Sequence, residues 1–314
     1  MAARGSQPRP ALLVAANLAV DAVTAEVVAA LRADGVGSLL LRGPAISTWL
    51  YSEETESPRT YDDLDLLVTP DQEERCAAVL TGLGFYNRSW AFAPGETVEH
   101  ASEWHRSESR IAVDLHRGLF GVKTDPHTLW REVAAGAERL DVAGVQVDVP
   151  SRPARLLIVT LHAAHHGISE PKPLRDLAVA VERADPPLWQ EAAALAGRLS
   201  AVPSFAAGLL LIPEGVAIAK QLGIADAVDT EAALLAQSPT ATAYGFARLA
   251  AIPGLRRKAA FLARKLFPTP SFMRHAFPIA RRGRIGLAMA YLWRPIWLLA
   301  HAGPGLIAWL RARR

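Results

Sequence analysis

The sequence predicts an α+β chain, with a sheet-bearing domain in front, a mostly α-helical domain behind it and a basic C-terminal extension. Three observations lead there. Short segments of period-2 alternation recur between residues 38 and 149. From Arg152 the pattern becomes helical, rich in Ala and Leu and punctuated by proline. Acidic residues stop at Glu231, while 14 Lys or Arg lie between Arg248 and Arg314, so a front part of net −11 precedes a remainder of +14. That asymmetry, concealed in an overall charge of +3, points to a polyanion, an anionic membrane surface or the chain's own acidic half.

The 314 residues suit two domains or one with a large extension, and a 51% hydrophobic content supplies a sizeable core and argues against disorder. A single cysteine, Cys76, excludes an internal disulfide and a cysteine-based zinc cluster and fits a reducing, cytoplasmic compartment. The apolar run at residues 10–20 follows Arg4 and Arg9 but is short for a signal peptide. Asp21 and Glu26 continue it as an amphipathic helix. No uncharged run reaches the length of a standard transmembrane helix; the nearest, Pro295 to Leu310, carries His301, Pro304 and two glycines.

In order, residues 1–19 are assigned as a loose lead, 20–150 as the sheet domain, 151–250 as the helical domain and 251–314 as the basic extension. Val20 to Asp34 reads as a helix stopped by Gly35, and Ser38 to Leu41 as a short buried strand. Arg42-Gly43-Pro44 then turns into a helix from Ala45 to Leu50. After a polar loop from Ser52 to Thr60, Asp63 to Val68 alternates: Asp63, Asp65 and Leu67 face one way, Leu64, Leu66 and Val68 the other. This places two carboxylates side by side on the open face of a sheet. Pro70 to Leu83 is a helix with Asp71, Glu73 and Glu74 in its first turn, followed by an extended segment from Phe85 to Ala91. Ser109 to His116 is a further strand, with Asp114 and His116 opposite Ile111, Val113 and Leu115, and Val142 to Val149 is a hairpin turning at Ala143-Gly144. The clearest later helices are Ala154–His166, Pro173–Ala184, Pro187–Leu199 and Ser204–Leu222. A series of short proline-broken helices is expected from Pro253.

Strands disfavour Asp, and like charges two residues apart repel; either a divalent cation between them turns the arrangement favourable, since hard carboxylate oxygens suit Mg²⁺, or the strand has a polar outer face that ends in a turn. Two carboxylates on one strand and a third, Asp114, on a later one are what phosphoryl and nucleotidyl transfer require to hold one or two Mg²⁺ ions. The glycine turn at Gly43 allows backbone N–H groups and a helix N-terminus to approach phosphate. No Gly-x-x-x-x-Gly-Lys-Ser/Thr, Gly-x-Ser-x-Gly or Gly-x-Gly-x-x-Gly sequence is present.

With these residues the chain resembles the uncharacterised bacterial nucleotidyltransferases of the polymerase-beta-like superfamily. The resemblance rests on Leu41-Arg42-Gly43, Leu50-Tyr51, Arg59 to Val68, Val113-Asp114-Leu115-His116, Leu161-His162 through His166, and Leu174-Arg175-Asp176-Leu177. It implies a front domain with a mixed sheet, nucleotide transfer from a triphosphate such as ATP, Asp63, Asp65 and Asp114 as catalytic metal ligands, and Gly43 at the phosphate-side turn. Two residues depart from the family pattern. Arg42 stands for the usual lysine, and Pro44, with no N–H to donate, follows the first glycine.

Arg42 and Arg59 are assigned to offset phosphate charge, with a loop arginine pairing Glu53, Glu54 or Glu56 as the other reading of Arg59. Asp62 ends the loop or accepts turn hydrogen bonds. His116 orients a carboxylate, contacts substrate or accepts a proton, unless it is a satisfied strand histidine. His162 and His166 have the i, i+4 spacing of a zinc pair but lack a nearby acid. They are assigned, beside His165, to a helix that either contributes a substrate-binding histidine or is purely structural. Asp176 either reaches back to one of these histidines or caps and pairs locally. The partners implied are a nucleoside triphosphate and an acceptor that is a small molecule, peptide, protein or saccharide. Trp293, Trp297 and Trp309, alternating with Arg294, Arg311 and Arg313, either anchor the chain peripherally on an anionic membrane or cap the core; nucleic acid ranks last. A catalytically idle relative that binds a nucleotide or partner is the alternative function.

Overall fold

The computed structural model describes residues 10–52, 59–88, 100–236 and 241–312. Expectations for residues 1–9, for Glu53, Glu54 and Glu56, for 89–91 and for Arg313 lie outside them. The described chain forms two compact units. One comprises residues up to 88, 100–159 and 179–200, and the other 160–178 and 201 onward.

The first unit opens with α1 (Pro10–Ala33), which starts ten residues earlier than Val20 because the Ala- and Leu-rich stretch ahead of it is itself a good helix former. By length and composition α1 could cross a membrane, yet Val20, Val23, Val27, Val28 and Leu31 are buried. Gly35, at φ 70°, stops it. Then follow β1 (Ser38–Leu40), α2 (Pro44–Leu50) and β2 (Asp63–Val68), and a 3-10 turn (Pro70–Gln72) that precedes α3 (Glu73–Gly82). Three strands come next: β3 (Tyr86–Asn87), β4 (Ala101–Arg106) and β5 (Ser109–His116). The five strands make one mixed sheet in the order β1-β2-β5-β4-β3, in which β2 and β5 run parallel and every other neighbour is antiparallel. On one face Leu64, Leu66 and Val68 of β2 and Val113 and Leu115 of β5 join α1 and α3 in the core.

Two elements of the first unit went unread in the sequence. In β4 only Trp104 is buried, so its Ala-Ser-Glu-Trp-His-Arg sequence shows no apolar alternation. The helix α4 (Pro126–Ala134) carried a signal that could have been used: Asp125 caps the N–H groups of His127 and Thr128, and Pro126 occupies the first turn. The hairpin of β6 (Glu138–Val142) and β7 (Val145–Val149) turns at Ala143 (φ 50°) and Gly144 (φ 83°), the doubly left-handed pair that a two-residue turn demands. It packs on α1 and β1.

The division between units falls within α5 (Arg152–His166) and α6 (Pro171–Arg183), while α7 (Pro186–Arg198) belongs to the first. In the second unit the expected helix over Ser204–Leu222 is two, α8 (Val202–Leu209) and α9 (Pro213–Gln221), because Pro213 begins a new helix and Gly215 lies against the Leu209 carbonyl. After α10 (Thr230–Ala236) and α11 (Ala241–Ala251) come α12 (Leu255–Leu266), α13 (Pro270–Ala276) and a 3-10 turn (Pro278–Arg281). The expected short helices then give way to one of 30 residues, α14 (Gly283–Ala312), with Pro295 and Pro304 inside it. Each proline removes one backbone hydrogen bond, but the inner side of the helix is fixed to its surroundings. Arg294 Nε donates to the Lys265 carbonyl at 2.7 Å, and Tyr291 Oη to that of Pro268 at 2.6 Å.

Glycines permit the closest approaches. A Cβ on Gly286 would lie 2.1 Å from the Ile279 carbonyl oxygen, and one on Gly305 would lie 2.3 Å from Thr242 Oγ1. Gly286→Ala should therefore cost ~1–3 kcal/mol through forced backbone movement and lower the urea midpoint. Gly303→Ala, whose Cβ meets nothing within 4 Å, should raise it slightly through helix propensity.

Candidate active site

The parallel pairing of β2 and β5 assembles the site. Its register sets Asp65 beside Asp114 and Leu67 beside His116, so residues 49 positions apart in sequence share one face. Among the described residues, ligand-capable atoms of Asp65, Asp114 and His116 lie within 4.8 Å of one another. This face is not open as expected. Asp65 is 2% exposed and Leu67 1%, while Asp63 at the strand end is half-buried.

Asp65 is covered by two partners. The Leu41 N–H donates to the Asp65 carbonyl at 3.0 Å, which brings Arg42 alongside, and the Arg42 guanidinium pairs with Asp65 Oδ1. His116 Nε2 donates to the same oxygen at 2.8 Å. Burial alone would raise the carboxyl's pKa, but Arg42 and His116 more than offset it and hold Asp65 well below the usual carboxylate range. Burial likewise works against the Arg42 charge, which Asp65, Asp63 and Asp114 keep protonated beyond its ordinary range. Asp114 goes the other way: burial first, then the Asp65 and Asp63 charges, push it up to about 6 against the opposing pull of His116 and Arg42.

The turn before α2 lies close by. Gly43 adopts φ 60°, a Cβ there would stand 3.5 Å from the Tyr61 ring, and its carbonyl accepts from the Ser47 N–H at 2.9 Å. Arg59 is buried and reaches the same carbonyl through Nη1 at 3.4 Å. Residues 59–61 are held by α1: Asn17 bonds the Arg59 carbonyl at 2.8 Å and the Tyr61 N–H at 3.2 Å, and Tyr61 Oη donates to Asp21 at 2.8 Å. Sequence reasoning missed Asn17 and Asp21 as positioning groups; their i, i+4 spacing within an apolar helix was the available signal. It also missed Arg155, which lies under α2, donating to the Ala45 carbonyl at 3.3 Å, pairing with Glu138 and stacking 5.3 Å from the Trp49 ring.

His162, His165, His166 and Asp176 belong to the second unit, on α5 and α6. The His162 and His166 rings meet edge to face at 4.5 Å, and Asp176 is buried.

The donor set fits a divalent cation. Two carboxylates repel across the strand pair, and buried His116 Nδ1 has no hydrogen-bond partner among the described residues. Because the folded pKa of Asp114 is raised, this group's contribution to the stability of the metal-free chain falls as pH climbs from about 4 to about 6 and is not regained above. Asp114→Asn should therefore be more stable than the parent above pH 6, by roughly 1–2 kcal/mol after discounting for partial exposure, and equal to it below pH 4. Thermal melts against pH check this. Added Mg²⁺ or Mn²⁺ should reverse the ranking above pH 6 by stabilising only the parent.

The family model described as "Uncharacterised nucleotidyltransferase" matches residues 8–215. No curated protein matches the chain. Among solved structures, the solution structure of the antibiotic-resistance factor ANT(2'')-Ia aligns at 13% identity and TM-score 0.42, over 59% of this chain and 96% of that one. The crystal structure of the same factor with adenylyl-2''-tobramycin gives 14% and 0.40 over 57% and 97%. An antigenic nucleotidyltransferase-like protein from Paracoccidioides brasiliensis gives 15% and 0.34 over 59% and 92%. With a family model matching well over half its length, the chain belongs to the uncharacterised nucleotidyltransferase family.

Proposed function

We propose that the protein is a Mg²⁺-dependent nucleotidyltransferase in which a hydroxyl or phosphate acceptor attacks the α-phosphate of a nucleoside triphosphate such as ATP, taking the nucleoside monophosphate and releasing pyrophosphate. The observation that carries this reading is the convergence of Asp65, Asp114 and His116 within 4.8 Å on a parallel strand pair. Asp63, Asp65 and Asp114 would hold the cation, which when bound supplies charge neutralisation on the triphosphate and a more acidic acceptor hydroxyl. Asp114 would either bind a second cation or, where it is left without one, accept the hydroxyl proton on a carboxylate oxygen. His116 orients Asp65 through Nε2. Arg42 and Arg59, flanking Gly43, offset phosphate charge; Arg42 would exchange part of its contact with Asp65 for phosphate oxygens, which its planar fork can bind in pairs. His162, His166 and Asp176 remain assigned to the acceptor, which is a small molecule, peptide, protein or saccharide.

A second reading has its own support. Asp65 is already neutralised internally by Arg42, and Pro44 has no N–H for phosphate, as in a catalytically idle relative that only binds a nucleotide or partner. A transfer screen with labelled triphosphates separates the two. Asp63→Asn and Asp65→Asn should each lower transfer by roughly 100-fold or more, Asp63→Asn at an unchanged melting temperature and Asp65→Asn, which takes the counter-charge from Arg42, at a lower one with the fold still present by circular dichroism. Unchanged transfer would remove these residues from the chemistry. Absence of a Mg²⁺-dependent thermal shift with every triphosphate would favour the idle relative.

A further inference from the structure

The second unit exposes an apolar surface that the site does not use. Along α14, Ile285, Met289, Leu292, Ile296, Leu299 and Leu306 repeat at helical spacing and are 39–79% exposed. The stripe runs about 32 Å at 1.5 Å per residue. Half-exposed Trp293 and the preceding Phe277 and Ile279 widen it into an apolar groove. A continuous patch of this kind marks an interaction surface.

Its setting identifies the partner. Exposed Arg282 and Arg284 stand at the start of the stripe. The amphipathic helix α12 has no buried residue, carries Arg256, Arg257, Lys258, Arg264 and Lys265, and exposes Leu255 and Leu262 one heptad apart. No Asp or Glu occurs after Glu231. A second copy meeting this face with its own would bring two such basic segments together with no acid in either to pair them, whereas an anionic bilayer presents apolar depth beneath negative charge. We infer that α14 and α12 form a docking face for anionic phospholipid membranes, with the α14 stripe sunk into the interface and the surrounding bases on the headgroups. The face shares no residue with the β2–β5 site.

Flotation of the full chain with vesicles of phosphatidylcholine and phosphatidylglycerol in equal parts, against phosphatidylcholine alone, tests this. The chain should float with the anionic vesicles, less so as salt is raised, and scarcely with the neutral ones. Leu292→Asp with Ile296→Asp, both at exposed positions, should reduce recovery about tenfold or more at an unchanged melting temperature. Arg282→Glu with Arg284→Glu should weaken it by roughly fivefold per residue. Brominated lipid should quench Trp fluorescence in the parent and less in Trp293→Phe. No flotation, equal flotation with neutral vesicles, or flotation indifferent to the Asp pair would overturn the proposal. So would a dimer seen by light scattering that the Asp pair dissociates without any vesicle binding, since the stripe would then be a self-association surface.

Discussion

A buried carboxylate held between two nitrogen donors organises the first unit. Asp65 is nearly inaccessible to water, and an isolated charge at such a position would neutralise itself by taking a proton. Arg42 from the turn after β1 and His116 from β5 keep it ionised. That demand links three consecutive features of the fold: the antiparallel β1–β2 pairing that delivers Arg42, the parallel β2–β5 pairing that delivers Asp114 and His116, and the left-handed Gly43 that lets the chain leave β1 for α2. Breaking the pair by removing one partner leaves a buried charge uncompensated, so the site is also a structural joint.

The same arrangement sets two neighbouring carboxylates apart in character. Asp65 has its charge satisfied, while Asp114, one strand away, is pushed toward neutral pH by burial and by the charges of Asp65 and Asp63. Environments that drive like groups apart supply one constant charge and one exchangeable proton within a few ångströms. The polar residues of α1 extend this order outward. Asn17 and Asp21 fix residues 59–61, and through them the Arg59 guanidinium at the Gly43 carbonyl.

What was legible in the sequence was local. The Ala143-Gly144 turn, the Asp63-Leu64-Asp65 alternation and the Gly35 stop each express a backbone or periodicity rule acting within a few residues. β4 was not legible because a strand between two others needs only one apolar anchor, Trp104, when its neighbours supply the pairing. Nor was the continuity of α14, because the contacts of Arg294 with Lys265 and of Gly305 with Thr242 that hold it across two prolines come from residues distant in sequence.

The sequence by itself determined the family, the strand that carries Asp63 and Asp65, and Asp114 and His116 on one face of a second strand, since motif and alternation are written in neighbouring residues. Only the tertiary structure decided that the two strands lie side by side and parallel, that Asp65 is buried rather than open, and that its partners are Arg42 and His116. Register and burial depend on how separate segments pack, and the energy of a buried charge depends on what surrounds it rather than on what precedes it in the chain.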